Sequence, residues 1–72
     1  MEFKEGIYRH YKGNLYKALF LANDSETTEK MVVYQALYGE KKIWVRPLKM
    51  WNESVTLPSG EVVKRFSYVE NQ

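Results

Sequence analysis

The chain has 72 residues, a formal net charge of +2 and no cysteine, and its length predicts one domain, residues 1–72. The absence of cysteine excludes a disulfide framework and a thiolate metal site, and no apolar run approaches the ~20 residues that a membrane-spanning helix needs. The charge is far below that of a dedicated nucleic-acid-binding domain. We therefore expect a soluble, cytoplasmic domain without a signal peptide.

The first two predicted strands are joined by a tight turn. Ile7 to Tyr11 forms the first, and the glycine and asparagine of Lys12-Gly13-Asn14 suit a turn with positive φ. Leu15 to Ala22 is apolar except for Lys17, which predicts a central strand covered on both faces. The polar segment that follows, residues 23–30, is the longest predicted loop.

A central hairpin is the clearest structural signal in the chain. Met31 to Tyr38 and Ile43 to Leu48 are rich in β-branched and aromatic residues and flank a short turn at Gly39 to Lys42. Pro47 has no amide donor, so it marks a strand end or an edge. Lys49 to Asn52 is expected to form the turn after this strand.

Two further strand candidates complete an all-β pattern. Val55 to Leu57 and Val62 to Val69 flank Pro58-Ser59-Gly60, which fits a type I turn closed by a glycine bulge. Five or six short strands with at most one helical turn predict a small Src-homology-3-like barrel, with an oligonucleotide-binding-type barrel as the alternative. Because so small a core needs most of its large apolar side chains, we expect Trp44 to be buried.

Several ordered motifs resemble one family across almost the whole chain. The matching motifs are Gly6-x-Tyr8-Arg9-His10-Tyr11-Lys12-Gly13-Asn14-x-Tyr16, Ser25-Glu26-Thr27, Val32-Val33-Tyr34-x-Ala36-Leu37-Tyr38-Gly39, Trp44-Val45-Arg46-Pro47-Leu48-x-Met50 and Arg65-Phe66. They are similar to the bacterial domain of unknown function numbered 1653. Asp24 replaces a histidine common in that pattern, and Trp51 replaces a common phenylalanine. The resemblance implies a small all-β domain, and it supplies neither an activity nor a catalytic residue.

The first candidate site lies on the first strand. Alternation places Tyr8, His10 and Lys12 on one face, with Arg9 and Tyr11 on the other. Small barrels use aromatic side chains to stack bases and cationic side chains to hold phosphodiester backbones. The same pairing also produces ordinary cation–π contacts on a strand surface, so both interpretations stay open.

The second candidate site lies on the second strand of the hairpin. Trp44, Arg46 and Leu48 share a face by alternation. An arginine beside a tryptophan either pairs with a carboxylate such as Glu26 or Glu40, or presents its planar fork to a ligand carboxylate or phosphate.

The long loop is the only part of the sequence that suggests catalysis. Ser25, with His10 and either Asp24 or Glu26, has the residue types of a nucleophile, a base and an orienting acid, but no sequence signal positions them together. The alternative is that Asp24, Ser25 and Thr27 bind loop amides through their side chains. A single histidine also disfavours a metal site.

The residues favour a non-catalytic binding module without a metal or cofactor, for an anionic or peptide ligand, nucleic acid included. Its predicted ligand-binding residues are Tyr8, His10, Lys12, Ser25, Glu26, Thr27, Trp44 and Arg46. One alternative is an enzyme or enzyme accessory that uses the Asp24-Ser25-Glu26-Thr27 loop with His10. Another is a scaffold for self-association or docking, in which the chain is a monomer or a weak homo-oligomer.

Overall fold

The computed structural model describes residues 3–70, which form seven strands and one short helix. In chain order these are β1 (Gly6–His10), β2 (Leu15–Asn23), β3 (Lys30–Ala36), β4 (Ile43–Pro47), α1 (Leu48–Trp51), β5 (Ser54–Thr56), β6 (Val62–Lys64) and β7 (Phe66–Glu70). The all-β class with a single helical turn is confirmed.

The strands form two antiparallel sheets. Five strands pair in the order β4-β3-β2-β1-β7, and β5 and β6 form a separate hairpin. Within the described residues no pairing joins β4 to β7, so closure into a Src-homology-3-like barrel is not confirmed.

The predicted last strand is interrupted at Arg65, which is why seven strands form instead of five or six. The Arg65 N–H donates to the Glu53 carbonyl at 2.9 Å, and its own carbonyl accepts the Tyr11 N–H at 2.9 Å. Arg65 is therefore the connection between β6 of the two-stranded sheet and β7 of the five-stranded sheet.

Both glycine turns predicted from the sequence are present. Gly13 (φ 109°) follows β1, and its N–H donates to the His10 carbonyl at 2.7 Å. Gly60 (φ 92°) closes the β5–β6 turn, and its N–H donates to the Leu57 carbonyl at 2.8 Å. These backbone angles favour glycine because it has no Cβ to clash.

The core lies on one face of the five-stranded sheet, here called the inner face, under the helical turn. Trp51 of α1 is 1% exposed, and its indole stacks on Phe66 with ring centroids 3.9 Å apart and planes 7° apart. The edges of Tyr34 and Tyr8 contact the same indole at 4.9 Å and 5.1 Å. The helical turn therefore covers the sheet with one large aromatic side chain.

Two burial predictions are wrong. Trp44 is 51% exposed, because it lies on the edge strand β4 while Trp51 fills the core. The strand from Leu15 is central, but it is not covered on both faces. A bulge between Ala18 and Phe20 changes the register, and Phe20 then pairs with Val33 on the opposite, outer face, where it is exposed.

We predict that the two tryptophans differ sharply in their contribution to stability. Trp51→Ala removes a fully buried ring and should lower the free energy of unfolding by about 3–5 kcal/mol. Trp44→Ala is the matched control and should change it by less than about 1 kcal/mol, since the ring is half exposed. Urea titration measures both values, and equal losses would contradict the packing described here.

Gly60 tests the turn geometry. Gly60→Val should lower the free energy of unfolding by about 1–3 kcal/mol, because a β-branched residue is strained at positive φ. A Cβ at this position meets no atom within 4 Å, so the cost comes from the backbone and not from a clash. Gly60→Asn should lose less, since asparagine tolerates positive φ better; equal losses in thermal melts would argue against this origin.

Candidate functional site

Cationic and aromatic side chains meet on the inner face beside Phe66. The His10 ring lies 5.0 Å from Phe66 and 6.2 Å from Tyr16, measured between ring centroids. Arg46 reaches the same place from β4, with Cζ 5.7 Å from the centre of the Phe66 ring. Tyr38 contacts Tyr16. We call His10, Tyr16, Tyr38, Arg46 and Phe66 the cationic–aromatic site.

Arg46 forms no ion pair with any carboxylate in residues 3–70. The pairing that alternation suggested is not made with Glu40, which instead lies 3.4 Å from Lys42 in the β3–β4 turn. The Nε of Arg46 is buried and has no hydrogen-bond partner in the described part of the chain. The guanidinium therefore has no carboxylate counter-charge within residues 3–70, and its Nε has no acceptor there.

Two further cations border the site. Arg65 precedes Phe66, and its Nη2 lies 3.1 Å from Glu53 Oε1. Lys12 follows the first strand, and its backbone N–H donates to His10 Nδ1 at 3.2 Å. This bond leaves the ring proton on Nε2, since a neutral imidazole carries one proton.

The surroundings of His10 disfavour its charged form. Burial lowers the pKa of His10 below its usual 6.5, and the nearby positive charges of Arg65, Arg46 and Lys12 lower it further. The local electrostatic potential is therefore positive, and an anion bound here would have the opposite effect on the imidazole.

Tyr16 and Tyr38 add a pair of hydrogen-bonded hydroxyl groups to the site. Their oxygens are 2.6 Å apart, and one hydroxyl donates to the other. Burial and this bond raise the pKa of Tyr16 to about 12, so it is neutral at pH 7. Whichever hydroxyl accepts still has its own proton to donate, which suits an anionic or carbonyl acceptor.

A shallow cleft of about 170 Å³ adjoins the site. Tyr38 and Trp44 line it together with the turn at residues 39–42. Both rings are exposed. The cleft therefore offers flat apolar surface next to the cations.

The structure brings together some of the predicted ligand residues and separates others. His10, Lys12 and Arg46 converge, and Trp44 lies in the adjoining cleft. Tyr8 instead lies in the core, where its hydroxyl donates to the Lys4 carbonyl at 2.7 Å and burial raises its pKa.

The Ser25, Glu26 and Thr27 loop lies at the other end of β2. The nine residues of that strand separate it from His10, which is roughly 30 Å of extended chain. The hydrogen bond between Ser25 and His10 that the catalytic alternative requires is not made. The Asp24 carboxylate instead accepts the N–H groups of Glu26 at 2.8 Å and Thr27 at 3.1 Å, which lowers its pKa.

Sequence reasoning missed Tyr16, Tyr38, Phe66 and Arg65 as site residues, because it assigned the tyrosines and Phe66 mainly to packing. One available signal was the turn at residues 11–14. It sets β1 against β2, and a strand that starts at Leu15 places Tyr16 across from Tyr8 and on the face of His10.

Comparison with known proteins identifies the family. A family model described as a protein of unknown function, DUF1653, matches residues 6–68. The chain belongs to the DUF1653 family. The resemblance drawn from the motifs is thus confirmed.

A crystal structure of a DUF1653 protein from Bordetella bronchiseptica is similar to this chain, with a TM-score of 0.88 and 44% sequence identity. The match covers 99% of this chain and 92% of that one. No curated protein matches the sequence. The DUF1653 fold is therefore shared, while the family description assigns no activity.

Residues 3–70 contain neither a membrane-spanning helix nor a group of metal-binding side chains. No helix there is long and apolar enough to cross a membrane. No three histidine, cysteine or acidic side chains in this range are grouped so as to hold a metal ion.

We predict that His10 makes stability depend on pH. Its folded pKa lies below 6.5, so the unfolded chain binds a proton first as the pH falls. The stabilisation is complete above about pH 6.5 and is lost as the pH falls through the folded pKa. Urea unfolding at pH 7.5 and pH 5.5 should show a drop that is smaller in His10→Gln, and an unchanged drop in that variant would contradict this assignment.

Proposed function

We propose that this DUF1653 protein is a non-catalytic binding module whose cationic–aromatic site holds the phosphate or carboxylate group of an anionic ligand. The observation that carries the proposal is Arg46. Its guanidinium lies over the Phe66 ring, partly buried, without a carboxylate partner among residues 3–70.

An anion would relieve the main electrostatic cost of this arrangement. A partly buried charge without a counter-charge is unfavourable. Arginine is suited to oxyanions because its planar fork makes two parallel hydrogen bonds to one group. His10 Nε2 and the tyrosine pair add donors close to Arg46.

The adjoining cleft supports a ligand with a flat part. Trp44 and Tyr38 expose ring surface next to the cations, and stacking on such rings is typical of small β domains that bind bases. We place the anionic group at Arg46 and His10, and the flat group against Trp44.

The non-catalytic part of the proposal rests on geometry. His10 is the only histidine of the chain, and it lies at the opposite end of β2 from Ser25. The loop carboxylate of Asp24 is occupied with backbone N–H groups. These contacts support a structural role for the loop.

Ligand binding can be measured at the His10 imidazole. We predict that titration with inorganic phosphate, a short oligothymidylate or an acidic peptide shifts the His10 ring signals in NMR spectra and raises the His10 pKa, since a bound anion favours the imidazolium. The three probes compare a free anion, a phosphodiester and a carboxylate. Oligothymidylate binding should weaken steeply with added salt, because counterions are released.

Arg46→Met keeps the apolar stem and removes the charge. It should weaken binding of whichever probe binds by about 10-fold or more, the range of a charged hydrogen bond. Arg9→Met is the matched control: it makes the same change on β1, but Arg9 points to the outer face with its partners Leu15 and Ser67. Equal losses in both variants, or no shift of His10 with any probe, would overturn the proposal.

A further inference from the structure

Within residues 3–70, one edge of strand β4 pairs with no other strand. The Ala36 N–H donates to the Lys42 carbonyl at 3.0 Å, and β3 and β4 are paired with Tyr34 opposite Trp44. Since antiparallel pairs alternate, Trp44 and Arg46 direct their amides toward β3. The N–H and C=O groups of Ile43 and Val45 therefore point away from the sheet.

This edge has little of the usual protection. Ile43 and Val45 are 59% and 60% exposed, and Trp44 between them is also half exposed. Edge strands of soluble proteins are commonly protected by a charge, a proline, a bulge or a covering segment. Arg46 and Pro47 provide such protection only at the end of the strand, so the middle of β4 can accept another strand.

We propose that β4 pairs antiparallel with β4 of a second copy, with the two-fold axis at Val45. The Val45 N–H of each copy donates to the Val45 carbonyl of the other. The Ile43 N–H of each copy donates to the Pro47 carbonyl of the other, and the Ile43 carbonyl receives no bond in return because proline has no N–H.

Charge selects this register over its neighbour. An axis at Trp44 would place Lys42 directly opposite Arg46 in both halves, and like charges opposite each other are destabilising. The axis at Val45 places Trp44 of one copy opposite Arg46 of the other, a cation–π pair. Arginine and tryptophan are thus complementary in the proposed register.

The outer face of the sheet supports the same axis. Phe20 pairs with Val33, and Val33 pairs with Val45, so the three side chains form one cross-strand row. Phe20 and Val45 are exposed. With Val45 on the axis, the row of one copy continues into the row of the other. The apolar side chains of both copies are then removed from water, which favours the dimer.

The pairing is expected to be weak. One pair of short strands buries less than about 1,200 Å², the range of transient contacts. We therefore expect a dimer that forms reversibly at high concentration.

Sedimentation equilibrium from about 10 μM to about 1 mM tests the proposal. The average mass should rise from one copy toward two. Val45→Lys should remain monomeric, since the charge is placed on the axis. Val62→Lys is the matched control, because Val62 is 63% exposed but lies on β6, and it should dimerise as the unchanged chain does.

A second measurement needs no variant. Amide hydrogen exchange of Ile43 and Val45 should slow as concentration rises, while exchange of Trp44 and Arg46 should not change. A chain that stays monomeric throughout the range, or a dimer without this protection, would overturn the proposal. Phosphate-free buffer keeps the result independent of anion binding.

Discussion

The parallel contact between the rings of Trp51 and Phe66 organises both the core and the site. A single helical turn such as α1 is not stable alone, because nucleating a helix fixes several residues for few hydrogen bonds. Burial of Trp51 and Leu48 against the inner face therefore holds α1 in place. The same Phe66 ring has Arg46 over it and His10 at its side. Core packing thus determines where the cations stand.

Local patterns predicted much of the fold. Alternation and turn residues placed the strand pair around residues 39–42 within two residues of β3 and β4, and positive φ at Gly13 and Gly60 followed from turn chemistry. The roles of the two tryptophans were not predictable in this way. Trp44 and Trp51 have the same intrinsic hydrophobicity, and only the docking of α1 decides which is buried. The bulge before Phe20 was equally unpredictable, because a strict alternation of side chains between the two faces assumes that no residue is inserted.

The candidate site was predictable by residue type more than by position. His10, Lys12 and Arg46 were identifiable as cations beside aromatics, but their meeting at Phe66 depends on strands that are distant in sequence. Tyr8 shows the limit of such reasoning. It faces the same side as His10, yet it lies deeper under Trp51 and contributes to packing. Alternation predicts which face of the sheet a side chain lies on. How deeply that side chain is buried depends on which other elements cover the face.

One strand carries both proposals, and strand geometry keeps them distinct. Arg46 turns its side chain to the inner face and its amide to β3, whereas Val45 turns its side chain to the outer face and its amide to the free edge. The two meet only where Trp44 of one copy lies opposite Arg46 of the other. A ligand on that guanidinium and a second copy beside it then share one cation. By linkage, each must change the affinity of the other by the same factor. Competition for Arg46 would make ligand binding favour the monomer, and a ring shared between Trp44 and the ligand would make it favour the dimer.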